Sequence, residues 1–319
     1  MKTKIVGTGS SAPQNVVTND DLAKIVDTSD EWIYSRTGIK QRRIATDENA
    51  GTLATDAAKR ALENAKVDAQ DIELIIVATT SPDYTFPNTA SVVQSNIGAV
   101  GAMCVDISAA CTGFIYGLSM AEAYIQSGQF KKALIIGAEY MSSIVNWKDR
   151  STCVLFGDGA GAVVLAAVED ETEGFRAVSC LHSDGSKGHV LTYGDRAKLS
   201  KNEQDFLYMD GQEVFKFAVK KVPESITEVL EKADMKLDDV KYFILHQANI
   251  RIIEAVAKRL GQEMEKFPTN VANYGNTSAA SIPILLDELN RNNILKRGDK
   301  IILSGFGAGL SWGSTLLEW

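Results

Sequence analysis

Cys111 sits in the stretch ISAACTGF (107–114), between small residues, where an extended run gives way to a helical one. Most cysteines are small buried hydrophobes. One placed at a helix N-terminus instead meets unbonded backbone N–H groups and the positive end of the helix dipole, which favour the thiolate. An ordinary thiol, of pKa ~8.5, is only a few per cent ionised at neutral pH, and each unit of lowering is worth ~1.4 kcal/mol of preference for the anion. The alanines before Cys111 and the threonine and glycine after it leave room for a ligand. The expected chemistry is nucleophilic, with the thiol activated by its place in the chain. Cys104, Cys153 and Cys180 fall inside strand-like runs and read as packing residues.

A nucleophile needs partners. Of the three histidines, His182 and His189 lie in the polar stretch CLHSDGSKGHVLTYGD and read as solvated loop residues. His246 instead ends the strand-like KYFILHQAN, at the carboxyl edge where ligands of open α/β folds collect. NYGNTSAAS (273–281) adds Asn273 and Asn276 in a turn, where asparagines are common. SGFGAG (304–309) is a glycine-rich turn after a strand, suited to presenting a backbone N–H.

The elements that must position these groups come in two copies. Residues 57–77, AAKRALENAKVDAQDIELIIV, align with 225–245, SITEVLEKADMKLDDVKYFIL, at an offset of 168 without a gap. The same offset lays ALIIGAE (133–139) on IILSGFG (301–307), and segments of helical spacing, 112–126 and 280–294, precede both. At this offset His246 matches Ala78 and Cys111 matches Ala279, so related halves would bring both sites to the middle. Helices alternating with near-continuous apolar strands predict mostly parallel sheets covered by helices, here an α/β chain layered α/β/α/β/α. The halves are expected at residues 1–170, with the cysteine, and 171–319, with the histidine and asparagine. The helix TGFIYGLSMAEAYIQSG after Cys111 is apolar almost all round and therefore buried.

The G-x-G-x-G of FGDGAGA (156–162) is not a dinucleotide fingerprint, because a strand-like run follows where a helix would have to open. A tight hairpin is expected there instead. Residues 8–50 and 182–215 have no counterpart in the repeat and are candidate walls of a substrate channel.

The formal charge of −8 makes the chain a poor candidate for gripping nucleic acid. Four cysteines without a C-x-x-C pair argue against a disulfide scaffold or zinc ribbon. The start MKTKIVGTGS has no apolar signal core, and the longest apolar stretch, GAGAVVLAAV (159–168), is far short of the ~20 residues of a membrane span. No membrane insertion and a reducing, cytoplasmic setting are expected.

With Cys111, His246 and Asn276 in this order on duplicated halves, the chain resembles the thiolase superfamily of condensing enzymes, and within it the β-ketoacyl-acyl-carrier-protein synthase III family. The likeness runs through DEWIYSRTGI (30–39), AACTGF (109–114), FGDGAGA (156–162), MDGQEVFKFA (209–218), HQAN (246–249) and NYGNTSAASIP (273–283). It implies a duplicated thiolase-like fold and a decarboxylative Claisen condensation that starts fatty acid synthesis. Cys111 would take an acyl group from acyl-coenzyme A. Malonyl-acyl carrier protein would then lose CO₂, and the enolate would attack the acyl-enzyme, a ping-pong pattern. His246 and Asn276 would each donate a hydrogen bond to the enolate oxygen, and the backbone N–H groups of Cys111 and Ala308 would form the oxyanion hole. The late turn lacks the second cysteine of true thiolases, and elongating synthases have a histidine where this chain has Asn276. Many relatives carry glycine where this chain has Ala308, and a left-handed backbone there would strain an alanine.

The likeness also implies coenzyme A as substrate, with no resident cofactor and no metal. Thr28 and Glu31 form a candidate capping box, which puts Trp32 and Arg36 on one helix face. With Arg150, that face would grip coenzyme A, and Gly211, Phe215 and Asn249 would line its tunnel. Acyl carrier protein is acidic, as is this chain, so docking needs a local basic face. Lys216, Lys220, Arg251, Lys258 and Arg259 are the candidates. A homodimer is implied, with AMCVDIS (102–108) pairing across the twofold and Phe86 reaching the neighbour's acyl pocket. A secondary-metabolite ketosynthase or another acyl-coenzyme A enzyme of the superfamily is the nearest alternative. A Cys-His-Asn hydrolase and a silent binding module are the alternatives of other classes. The preferred primer is not readable, since acetyl and branched acyl groups differ by methylenes worth only ~1–3 kcal/mol in a pocket.

Overall fold

A computed structural model describes residues 1–168, 176–195 and 205–319, so the boundary expected between residues 170 and 171 lies outside the described residues. One sheet holds β1 (Lys2–Ser11), β2 (Leu74–Ala78), β3 (Met103–Ile107), β4 (Lys132–Glu139) and β5 (Gly159–Val168), in the spatial order β1-β5-β4-β2-β3. Strand β2 is parallel to β3 and β4, while β5 runs antiparallel to β1 and β4. The other sheet holds β6 (Val178–Ser183), β7 (Tyr242–Leu245), β8 (Lys300–Gly307) and β9 (Ser311–Glu318), in the order β7-β8-β9-β6, with β7 and β8 parallel.

The central strands are apolar at nearly every position because both their faces are covered. Leu74, Ile76, Ala133, Ile135, Ile301 and Leu303 face a middle core, which is filled by α4 (Gly113–Gln126) and α7 (Ser281–Arg291). Their alternates Ile75, Val77, Leu134 and Ile136 pack outward on α2 (Ala50–Ala65) and α3 (Thr89–Ile97). Ile302 and Phe243 do the same on the other side, against α5 (Gly211–Lys232) and α6 (Ile250–Leu260). The period of two along each strand thus feeds two cores, and the result is the expected five-layer α/β/α/β/α body. Phe114, wholly buried in the middle layer, is a residue whose truncation to alanine costs ~3–5 kcal/mol in such a setting.

The 168-residue offset survives in fine detail. Strand Lys132–Glu139 maps onto Lys300–Gly307, the 3₁₀ turn Ala110–Thr112 onto Ser278–Ala280, and the turn Ala69–Asp71 onto Leu237–Asp239. Backbone handedness repeats as well: Ala110 (φ 45°) matches Ser278 (φ 49°), and Lys66 (φ 54°) matches Asp234 (φ 52°). The copies diverge where β3 would recur, since Val271–Tyr274 is a short helix.

Several expectations give way. The two sheets are mixed rather than mostly parallel, with three parallel pairings against four antiparallel ones, because the last strand of each half folds back beside its predecessor. The glycines of FGDGAGA make no tight hairpin, because residues 140–158 separate β4 from β5 and Gly159 and Gly161 lie within β5. A Cβ on Gly161 would come within 2.5 Å of the Ile284 backbone nitrogen, so that position is small to admit α7 against the sheet. Thr8–Ser11 belong to β1 rather than to an insertion, and Cys153 is helical, in the turn Arg150–Cys153. His182 is no loop residue. It lies in β6, bonds Glu228 at 2.6 Å and stacks on Trp312.

Candidate active site

The two halves meet at the carboxyl ends of their strands. Strand β3 delivers the Cys111 turn, and β8 comes so close beneath it that a Cβ on Gly307 would lie 2.8 Å from the Cys111 nitrogen. The Ser311 hydroxyl ties these pieces together, bonding the Thr112 hydroxyl at 2.8 Å and donating to the Ala308 carbonyl at 2.9 Å. A cavity of about 580 Å³ opens here, and Cys111, His246, Asn276 and Ala308 all line it. Residues more than 160 apart in sequence therefore share one wall, as the repeat predicted.

Each side chain is held by a partner that decides what it offers the cavity. The Ser281 hydroxyl accepts from the Gln247 N–H and bonds His246 Nδ1 at 2.7 Å. When Ser281 donates its proton to Nδ1, the neutral ring carries its own proton on Nε2, which can then donate into the cavity. Phe306 packs edge-on against the ring, and burial pushes the imidazole down to a pKa of about 3, so it is neutral in the working range. The Asn276 carbonyl accepts from the Ser278 N–H at 2.8 Å, which leaves its amide N–H₂ as the donor available to the cavity. Both groups can act as neutral donors into a mainly apolar cleft.

The expectation of a lowered thiol pKa at Cys111 is overturned. Burial pushes the thiol up to about 12, and the charge of nearby Glu139 adds to this, while the bond to Ser278 Oγ at 3.4 Å pulls the other way. The helix dipole does not offset the loss of water, because α4 begins after the 3₁₀ turn and Cys111 lies deep in the cleft. Ala308 raises no strain, since the left-handed residue of the turn is Gly309 and not its neighbour. Sequence reasoning missed Glu139, Ser278 and Ser281. The signal was there in Glu139, an acid closing an otherwise apolar strand.

Comparison with known proteins decides the family. The model for 3-oxoacyl-(acyl-carrier-protein) synthase III matches residues 105–185, and its C-terminal counterpart matches 230–319. The chain is 50% identical to a β-ketoacyl-(acyl-carrier-protein) synthase III of Clostridium acetobutylicum, covering 99% of this chain and 98% of that one. It is 51% identical to the synthase III of Streptococcus mutans, with 96% of each chain covered. The crystal structure of the synthase III from Aquifex aeolicus superposes with a TM-score of 0.94 at 49% identity, over 99% of this chain and all of that one. The chain belongs to the β-ketoacyl-acyl-carrier-protein synthase III family.

Against that family's pattern, the remaining candidates fall in four places. Gly211, Phe215 and Asn249 line the same cavity. Trp32 lies outside the cavity wall with two guanidinium groups over its ring, Arg36 at 4.6 Å and Arg150 at 4.7 Å from the ring centre. Asn249 joins these regions by donating to the Arg36 carbonyl at 3.0 Å. The capping assignment is corrected: Ser29, not Thr28, caps α1 (Asp30–Thr37), accepting from the Trp32 N–H. The Thr28 hydroxyl is buried without a hydrogen-bond partner among the described residues. Lys216 and Lys220 are exposed on α5, and Arg251, Lys258 and Arg259 on α6, two helices that pack together. Of these, Lys216 is paired with Glu213. Phe86 is 85% exposed and does not reach this chain's own cavity.

Proposed function

We propose that Cys111 carries the acyl group, and that His246 Nε2 and the Asn276 amide hold the enolate oxygen. The family's activity is the condensation of an acyl-coenzyme A with malonyl-acyl carrier protein to start fatty acid synthesis. The observation that carries the assignment of roles is the convergence of one thiol and two neutral donors on a single buried cleft. Losing CO₂ makes the carbanion, so no strong base is needed; hydrogen bonds that strengthen as charge reaches the enolate oxygen suffice. In our reading the acyl oxyanion is held by the Cys111 and Ala308 backbone N–H groups. The test is to mix the protein with radiolabelled acetyl-coenzyme A and then chase with malonyl-acyl carrier protein. Label on Cys111 that the chase moves into a 3-ketoacyl product supports the assignment. Rapid hydrolysis indicates a hydrolase, and absence of label a silent binding module.

Coenzyme A, in this reading, enters as substrate over the Arg36–Trp32–Arg150 stack, beside Thr28, with Gly211, Phe215 and Asn249 lining the way in. No resident cofactor or metal takes part. A stacked cation is worth ~0.5–2 kcal/mol, so Trp32→Ala should raise the acyl-coenzyme A KM by about tenfold. Steady-state kinetics with varied acyl-coenzyme A reads this, and an unchanged KM refutes the stack as the gripping face.

Carrier protein docks, we infer, on the basic face of α5 and α6 formed by Lys216, Lys220, Arg251, Lys258 and Arg259. Arg251→Glu should raise the malonyl-acyl carrier protein KM several-fold, more at low salt than at high salt. Equal effects on acyl-coenzyme A uptake would count against docking there. We also infer a cytoplasmic homodimer, joined along β3. That strand is an edge of its sheet, with Met103 40% exposed, and edge strands invite pairing. Phe86 would then serve the neighbour's acyl pocket. A monomer in sedimentation equilibrium sinks this arrangement. No helix among the described residues is long and apolar enough to cross a membrane.

A further inference from the structure

Behind Cys111 lies a buried carboxyl that the condensation, as drawn above, does not use. Glu139 ends β4 with no exposed surface. Ser81 Oγ donates to it at 2.6 Å, Ser278 Oγ at 2.8 Å, and the Thr80 N–H at 3.0 Å. The hydroxyls of Thr79 and Thr80 complete the shell. Three of these hydroxyls also accept a bond from elsewhere and so link the carboxyl to its surroundings: Ser81 from the Tyr140 N–H, Thr79 from the Ser81 N–H, and Ser278 from the Cys111 thiol. A shell of donors favours the carboxylate, which only accepts, while burial pushes the Glu139 pKa up and so eases its taking a proton. The chain thiol–Ser278–Glu139 is a continuous line, 3.4 Å and then 2.8 Å, from the cleft to a buried carboxyl. Ser278 itself lines the cavity.

We propose that Glu139, acting through Ser278, holds the Cys111 proton for the lifetime of the acyl-enzyme. The inference rests on Cys111 being the acylated residue. In acyl transfer the S–H bond breaks. Its proton passes to Ser278 Oγ as the Ser278 proton passes to Glu139 Oε1. The sulfur electron pair bonds the acyl carbon, and the bond from that carbon to the coenzyme A sulfur breaks. Coenzyme A leaves with that pair and takes a proton from solvent. In condensation, decarboxylation leaves its electron pair on the enolate, which bonds the acyl carbon and expels the Cys111 sulfur with its pair. That sulfur recovers the stored proton through Ser278, and Glu139 is again ionised.

The physical gain is in charge. A dry cleft accommodates one negative charge far better than two. Along this route the charge sits in turn on Glu139, the thiolate, the departing coenzyme A, the malonyl carboxylate and the enolate, one at a time. The enolate in particular forms while Glu139 is neutral, so no buried carboxylate repels it.

The test is a proton count. The protein is mixed with excess acetyl-coenzyme A in lightly buffered indicator dye near pH ~7, where a released thiol of pKa ~8.5 is protonated, and acylation of Cys111 is followed by mass spectrometry. The expected result is uptake of about one proton per coenzyme A released. In Ser278→Ala the relay is cut, and the thiol proton should leave with coenzyme A, giving no uptake. Alanine fits there, because its repeat mate Ala110 holds the same left-handed backbone. A protonated-carboxyl infrared band should appear on acylation and be missing in Glu139→Gln. Acylation of the unmodified protein without proton uptake, or undiminished uptake in Ser278→Ala, overturns the proposal. Failure of both acetyl- and isobutyryl-coenzyme A to label Cys111 overturns the functional reading and the relay with it, an outcome the mass measurement separates from a failed relay.

Discussion

Cys111→Ala is expected to lower the overall condensation rate by about 10⁴- to 10⁶-fold, the range seen when a nucleophile is removed from a site whose other parts remain. The substitution removes the atom proposed to carry the acyl group and little else. Cys111 is 9% exposed, so the small cavity left behind costs stability without dismantling the fold. The informative measurement is the split between half-reactions. Acetyl transfer from acetyl-coenzyme A should vanish, while decarboxylation of malonyl-acyl carrier protein should persist, because His246 and Asn276, the proposed enolate donors, are untouched. Residual acyl transfer within tenfold of the unmodified protein would move the acyl carrier away from Cys111. The thiol's own titration adds a check. With its pKa raised to about 12 in the unliganded cleft, alkylation of Cys111 by iodoacetamide should keep accelerating as pH rises through the ordinary thiol range near ~8.5, with no plateau there.

The second large effect belongs to the enolate donors. His246→Ala and Asn276→Ala should each lower condensation by about 10²- to 10³-fold, the loss measured when one donor is taken from a developing oxyanion. Acylation of Cys111 should suffer much less, since the acyl oxyanion is assigned to backbone N–H groups. The double variant should lose less than the product of the single losses, because two donors on one oxygen act as a unit. Stopped-flow measurement of the second half-reaction reads this directly, and equal losses in both half-reactions would refute the assignment. Its pH dependence is set by a histidine whose pKa is lowered to about 3. The neutral, donating form is complete well above that value and is lost only as pH falls toward it. The second half-reaction should therefore show no acid limb near the ordinary imidazole value of ~6.5. A limb there would mean that the ring is hydrated in the working enzyme.

What could be read from the chain alone is what is local or periodic. Apolar runs at residues 74–78, 132–139, 242–245 and 300–307 are strands, and the offset of 168 that relates them is visible in letters before it is visible in space. The offset also put Cys111 and His246 at matching ends of related units, so their meeting required no coordinates. The limits have equally physical causes. A capping pattern is short and redundant, and Thr28 and Ser29 compete for one role that only backbone angles award, in favour of Ser29. His182 reads as polar loop because its partners Glu228 and Trp312 are distant in sequence. Glycines mark close approach without naming what approaches, here α7 at Gly161. The ionisation of the site was the most hidden property. A charge responds to how much water is removed and which charges remain within a few ångströms, sums over every surrounding element. Helix position alone argued for an easily ionised thiol. Tertiary burial beside Glu139 made it a resistant one, with a serine and a carboxyl arranged behind it. Residue types and spacing determined which groups would meet; the packing of two sheets around them decided how each is protonated.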